Sequence, residues 1–214
     1  MTRPIALAFT ALLAMSCRGN DTAPAPDSLK SASTASATGA PNYVATVVRS
    51  YPHDPAAFTE GLFFKDGKLY EGTGLEGKSD IRRVDLATGN VEMRRTLDPQ
   101  YFGEGIVAFN GVLYELTYKS GKAFTYDFAT FKPRPQTFTY PGEGWGMTTD
   151  GESLIMSDGT ARLRFLDPKT FAVRRTVDVH DGVSPVSQVN ELEWVKGEIL
   201  ANIWQSDQIV RIDP

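Results

Sequence analysis

The chain has 214 residues, with 22 Lys and Arg against 26 Asp and Glu, a net charge of -4 and 41% hydrophobic residues. That balance suits one globular domain and offers no basic surface for nucleic acid. Two histidines, His53 and His180, and a single cysteine, Cys17, are too few for a transition-metal centre built on His and Cys.

In residues 1–17, Arg3 precedes an apolar run from Ile5 to Met15 that is too short to span a bilayer, which is the pattern of a signal peptide. The run ends in Ala14-Met15-Ser16-Cys17, which resembles a bacterial lipobox apart from Ala14, where a larger aliphatic residue is usual. The expectation is an exported chain lipidated at Cys17 and anchored to a bacterial membrane on its periplasmic or cell-surface side. Residues 18–41 are rich in Ala, Ser, Thr and Pro without hydrophobic periodicity, and they predict a disordered tether. The folded domain is expected over 42–214.

From Tyr43 onward, β-branched and aromatic runs alternate with turn dipeptides, and no helical period competes. Strands are expected at 58–64, 69–74, 80–85 and 91–97. The same order recurs over 102–139 and 143–179, and a fourth copy runs from Gln188 to Asp213. The turn glycines Gly67, Gly111, Gly151 and Gly197 are spaced by 44, 40 and 46 residues, and the closing aspartates Asp85, Asp127, Asp167 and Asp213 by 42, 40 and 46. Several short strands per unit at such a period predict an all-β fold, a β-propeller. Residues 43–49 (YVATVVR) are similar to the fourth strands of the repeats. They are expected either to close a four-bladed ring or to belong to a longer propeller.

Seven residues before each turn glycine stand Glu60, Glu104, Gly144 and Asn190; seven after stand Gly74, Tyr118, Asp158 and Trp204. A purely structural repeat tends to hold one residue type at such a position, so this divergence, on strands that line a propeller axis, predicts a site.

The strings FTEGL at 58–62, FGEG at 102–105, ELTY at 115–118, EGWGM at 143–147, MSDGT at 156–160, NELEW at 190–194 and ANIW at 201–204 resemble, in order and spacing, the plant-type and bacterial glutaminyl-peptide cyclotransferases, the glutamine cyclotransferase family. The resemblance implies a five-bladed propeller whose last part is incomplete in this chain, and cyclisation of an N-terminal glutamine to pyroglutamate with release of ammonia. It implies Glu104 as the catalytic carboxyl and Trp145, Trp204 and Asn190 as substrate-binding residues. Glu60 and Tyr118 join them where the family usually has Gln and often Trp, and the family's last-blade lysine has no counterpart. In this chemistry the substrate's own α-amine is the nucleophile. The protein then needs one general acid-base group, an aromatic enclosure and an amide that polarises the carbonyl.

The expected partners are a peptide or protein with N-terminal Gln, and the membrane through Cys17, for a monomer needing no metal or cofactor. Two other functions fit the residues. Glu60, Glu104, Asp158 and Asn190 are hard oxygen donors suited to a calcium-dependent, lactonase-like hydrolase, and a propeller also serves as a non-catalytic binding scaffold. Asp158 before Gly159 reads first as a turn former. Glu143, Glu191 and Glu193 are given no role.

Overall fold

The computed structural model describes residues 39–214. The expected signal peptide, Cys17 and all but the last residues of the expected tether lie outside the described residues. The first blade is β1 (Thr59–Lys65), β2 (Lys68–Thr73), β3 (Asp80–Asp85) and β4 (Val91–Thr96), an antiparallel meander. The second is β5 (Gly103–Phe109), β6 (Val112–Thr117), β7 (Lys122–Asp127) and β8 (Pro133–Thr139), and the third is β9 (Met147–Thr149), β10 (Leu154–Met156), β11 (Arg162–Leu166) and β12 (Val173–Asp178). A two-stranded hairpin, β13 (His180–Asp181) and β14 (Ser184–Pro185), lies in the next connection. After it come β15 (Val189–Val195), β16 (Glu198–Ile203) and β17 (Ile209–Ile212), a three-stranded sheet.

Local chemistry sets each unit. At Asp66-Gly67 and Asn110-Gly111 both residues have positive φ, as a two-residue hairpin turn requires, and Lys196-Gly197 adopts the same turn despite its poorer sequence signal. Asp150-Gly151 instead opens a four-residue connection, in which Asp150 Oδ1 accepts from the amides of Glu152 and Ser153. Three closing aspartates recur for a local reason. Asp85 and Asp127 each accept from the amide and hydroxyl of a Thr three residues on, and Asp167 accepts from the amides of Lys169 and Thr170. The residue after each Thr then turns at positive φ: Gly89, Phe131 and Phe171.

Side chains, not backbone ladders, join the blades. Tyr70, Ile81, Ile106, Leu113 and Phe131 fill the gap between the first and second. Leu116, Phe138, Met147, Leu154 and Phe171 fill the gap between the second and third, and Ile155, Phe165, Leu192 and Ile199 that between the third and fourth. The inner strands pack in succession as β1, β5, β9 and β15, and β15 also approaches β1, where the amide of Leu62 donates to Glu191 Oε1 at 2.8 Å.

Residues 43–49 do not close the ring as an outer strand. They form no strand, and Val44 and Val48 are exposed. Tyr43 approaches the fourth sheet with its ring 5.4 Å from the Arg211 guanidinium on β17, and the segment adds no rung to that sheet's ladder.

Candidate active site

At one level of the axis the inner strands carry glycines that let their backbones touch. A Cβ on Gly61 would meet the Ile106 amide at 2.7 Å, one on Gly105 the Met147 amide at 2.6 Å, and one on Gly146 the Cα of Glu191 at 2.6 Å. The residues just before these glycines, Glu60, Glu104 and Trp145, therefore share that level, with Asn190 before Glu191 continuing it. Three of the four inner strands break register there: β1 between Thr59 and Gly61, β5 between Gly103 and Ile106, and β15 between Val189 and Leu192, each by one extra residue. Such bulges re-aim a side chain without unpairing the rest of the ladder. The β9–β10 ladder ends at Met147–Met156, and just beyond it the Trp145 amide donates to the Ser157 carbonyl while the Ser157 amide donates to the Gly146 carbonyl, so two residues again face one; between this point and its wider turn the third inner strand is one residue shorter. Trp145 occupies the position that counting assigned to Gly144.

Glu104 is buried, and among the described residues neither it nor Glu60 receives a hydrogen bond or ion pair at its carboxyl. Burial pushes Glu60 up to about 7. Burial, reinforced by the charges of Glu60, Glu191 and Glu143, pushes Glu104 up to about 10. At neutral pH Glu104 is therefore a neutral acid. Asn190 is tied through its backbone, its carbonyl accepting from Ser157 Oγ at 2.6 Å, while its side-chain amide has no partner among the described residues.

Aromatic rings stand on both sides. Trp145 and Trp204 meet edge to face, with centroids 5.6 Å apart, and the Trp145 ring lies over Gly159. Phe102 contacts Phe58 at 6.1 Å and Tyr118 at 5.7 Å, and Gly74 leaves room for the Phe102 ring and the Glu60 stem. Trp145 is fixed by a relay. Its Nε1 donates to Glu143 Oε2 at 3.0 Å, and Arg164 donates to the carbonyls of Pro141 and Glu143 and to Asp158 Oδ2.

Glu60, Glu104, Trp145, Asn190 and Trp204 thus lie on neighbouring inner-strand positions and the hairpin ends beside them, and Tyr118 joins them through Phe102. Asp158 serves elsewhere, accepting from the amide and hydroxyl of Thr160 and pairing with Arg164. Sequence reasoning left out four contributors. Glu143 and Arg164 hold Trp145, Glu191 joins β15 to β1, and Lys119 lies over the Tyr118 ring at 4.6 Å and 3.9 Å from Glu143. The EGWG string carried the signal for Glu143; nothing in the local sequence marked Arg164. Among the described residues no group of three or more His, Cys, Asp or Glu is arranged to hold a metal ion.

Fold and site define a β-propeller with an acid-amide-aromatic cluster at the bulged ends of its inner strands. The chain belongs to the glutamine cyclotransferase family, which matches it over residues 22–214. It is 42% identical over 169 residues to the glutaminyl-peptide cyclotransferase of Arabidopsis thaliana, an alignment covering 78% of this chain and 53% of the relative. The chain thus spans about half the length of that curated relative. The glutaminyl cyclase crystal structure from Myxococcus xanthus superposes with a TM-score of 0.73 at 36% identity, covering 79% of this chain and 71% of the other.

Proposed function

We propose that the protein is a glutaminyl-peptide cyclotransferase, acting on peptides or proteins with N-terminal glutamine. The observation that carries this reading is a buried Glu104 carboxyl without a protein partner among the described residues, at the same level as the unpaired Asn190 amide and the Trp145–Trp204 pair; burial and neighbouring carboxylates favour its protonated form. The rings enclose the glutaminyl side chain in a folded conformation and exclude water, so that the α-amine reaches its own δ-carbon. Asn190 donates to the carbonyl oxygen as charge develops there. As the N–Cδ bond forms, Glu104 gives its proton to the departing amide nitrogen. The old C–N bond breaks with its electron pair, ammonia leaves, and Glu104 recovers a proton from the ring nitrogen.

The names of the two relatives support this chemistry, and family membership supports the peptide substrate class. Ammonia release from a glutaminyl dipeptide tests it; no turnover by the folded protein removes it. Export and lipid anchoring at Cys17 belong to the same proposal and rest on the Ala14-Met15-Ser16-Cys17 motif. Membrane-fraction recovery that is lost in Cys17→Ser supports them, and unchanged recovery removes them.

A further inference from the structure

Burial and the surrounding carboxylates favour the protonated form of Glu104, which leaves a gap in the proton path. A peptide N-terminus titrates near about 8 and arrives at neutral pH mostly as an ammonium ion, which cannot attack a carbonyl. Glu104 already holds a proton and is not the group to receive that one. Glu60 stands at the matching position one blade earlier, on its own register shift, beside the level where the Gly61 backbone closes on Gly105 and Ile106. Its carboxyl has no hydrogen bond among the described residues, and no described ion pair includes it or Glu104. The charged groups around the two are Glu191 on β15 and Glu143 ahead of β9, with the Tyr140 phenol near Glu104; the described cations nearby are engaged elsewhere, Lys119 with Glu143 and Arg164 with Asp158 and the carbonyls of Pro141 and Glu143. The cluster is thus acidic without an internal counter-charge, and a monocation is the ligand that it complements.

We propose that Glu60 is the receptor for the substrate's α-ammonium and the first acceptor of its proton, leaving Glu104 to serve the departing nitrogen. The inference rests on the cyclotransferase reading. The α-ammonium passes one proton to the Glu60 carboxylate; the freed amine attacks, Glu104 protonates the leaving nitrogen and is reprotonated from the ring nitrogen. Glu60 returns its proton to ammonia, which departs as ammonium. One cation enters, one leaves, and both carboxyls are restored. Burial raises both carboxyls, and Glu104, the more enclosed and with Glu60, Glu191 and Glu143 around it, is the one held as the acid, which leaves Glu60 as the base. Where a relative carries the uncharged Gln at this position, as the resemblance implies, that first step has no protein base.

The test compares wild type with Glu60→Gln and Glu60→Asp on two readouts. The first is the pH profile of kcat/KM for a glutaminyl dipeptide. Glu60→Gln is expected to lose about tenfold near pH 6.5 and to rejoin wild type by about pH 9, where the amine is already free; Glu60→Asp keeps the wild-type shape. Parallel profiles for wild type and Glu60→Gln overturn the proposal. The second is binding of an asparaginyl dipeptide amide, whose side chain is too short to cyclise, against its N-acetyl form. Wild type and Glu60→Asp are expected to favour the free amine about tenfold and Glu60→Gln to lose that preference; equal preference in all three overturns the role. This second readout survives even if wild type turns over no glutaminyl peptide, an outcome that removes the cyclotransferase reading itself.

Discussion

The indole Nε1 of Trp145 donates to Oε2 of Glu143, two residues earlier, at 3.0 Å. The bond fixes a ring that otherwise has a glycine on either side in sequence and leans on Trp204 by its edge alone. Glu143→Ala is expected to raise KM for a glutaminyl dipeptide about tenfold with a smaller change in kcat, since a hydrogen bond to a charged acceptor is worth about 1.5–3 kcal/mol. Tryptophan emission should shift with it. Glu143→Gln retains an acceptor and should restore most of the loss.

Glu104→Gln removes the exchangeable proton and keeps the shape of the side chain. A fall of about 10²- to 10⁴-fold in kcat is expected, with an unchanged circular dichroism spectrum and an unchanged or higher melting temperature. Near-normal turnover by the folded variant would take Glu104 out of the mechanism.

Glu115 lies under the second blade, fully enclosed, where Tyr126 donates its hydroxyl to Oε2 at 2.6 Å. Burial pushes its carboxyl up to about 7. The native state therefore holds a proton that the unfolded chain has already released, and the associated stability is present below about pH 4.5 and lost as pH rises to about 7. Glu60 and Glu193, also raised to about 7 by burial, add slope of the same sign. In urea unfolding at pH 5 and pH 8, Glu115→Gln should shrink the difference in stability by about 3 kcal/mol or less. An undiminished difference would place the titration elsewhere.

Two glycines should respond differently to alanine. At Gly105 the new Cβ would meet the Met147 amide at 2.6 Å, backbone that cannot rotate away, and a loss of about 3 kcal/mol is expected. At Gly67 nothing lies within 4 Å, and only the positive φ of 79° is penalised, at about 1 kcal/mol. Equal denaturation midpoints for the two variants would contradict the inner-strand contact.

The repeat was legible because its markers do local work. Asp85, Asp127 and Asp167 each bind backbone within three residues, and the Asn-Gly and Asp-Gly turns need only their own dihedrals, so spacing alone placed the four strands of the first blade and the bounds of the second to within a residue. What was not legible depended on register or on distant partners. Counting gives Gly144 a place that Trp145 holds, because the third inner strand is one residue shorter and its turn is four residues wide, and neither can be seen by counting. Arg164 reaches Pro141, Glu143 and Asp158 across its blade, and no motif announces such a span. Residues 43–49 look like an outer strand in composition, yet composition cannot supply the ladder partner that would make them one.

The one-residue register shifts on β1, β5 and β15 have a consequence for how such a chain diversifies. An extra residue at a bulge carries no duty in the ladder and little in the interblade core, so its identity is free to change while the copies around it keep folding alike. A carboxyl stands there in two copies, an amide in another, and an indole in the third blade, where Trp145 and Gly146 together face Ser157. On a scaffold of like meanders, the residues at these slack positions make the axis asymmetric while the strands around them stay alike. Shuffling those letters among the blades, rather than rebuilding any strand, is the economical route to a new specificity on this frame.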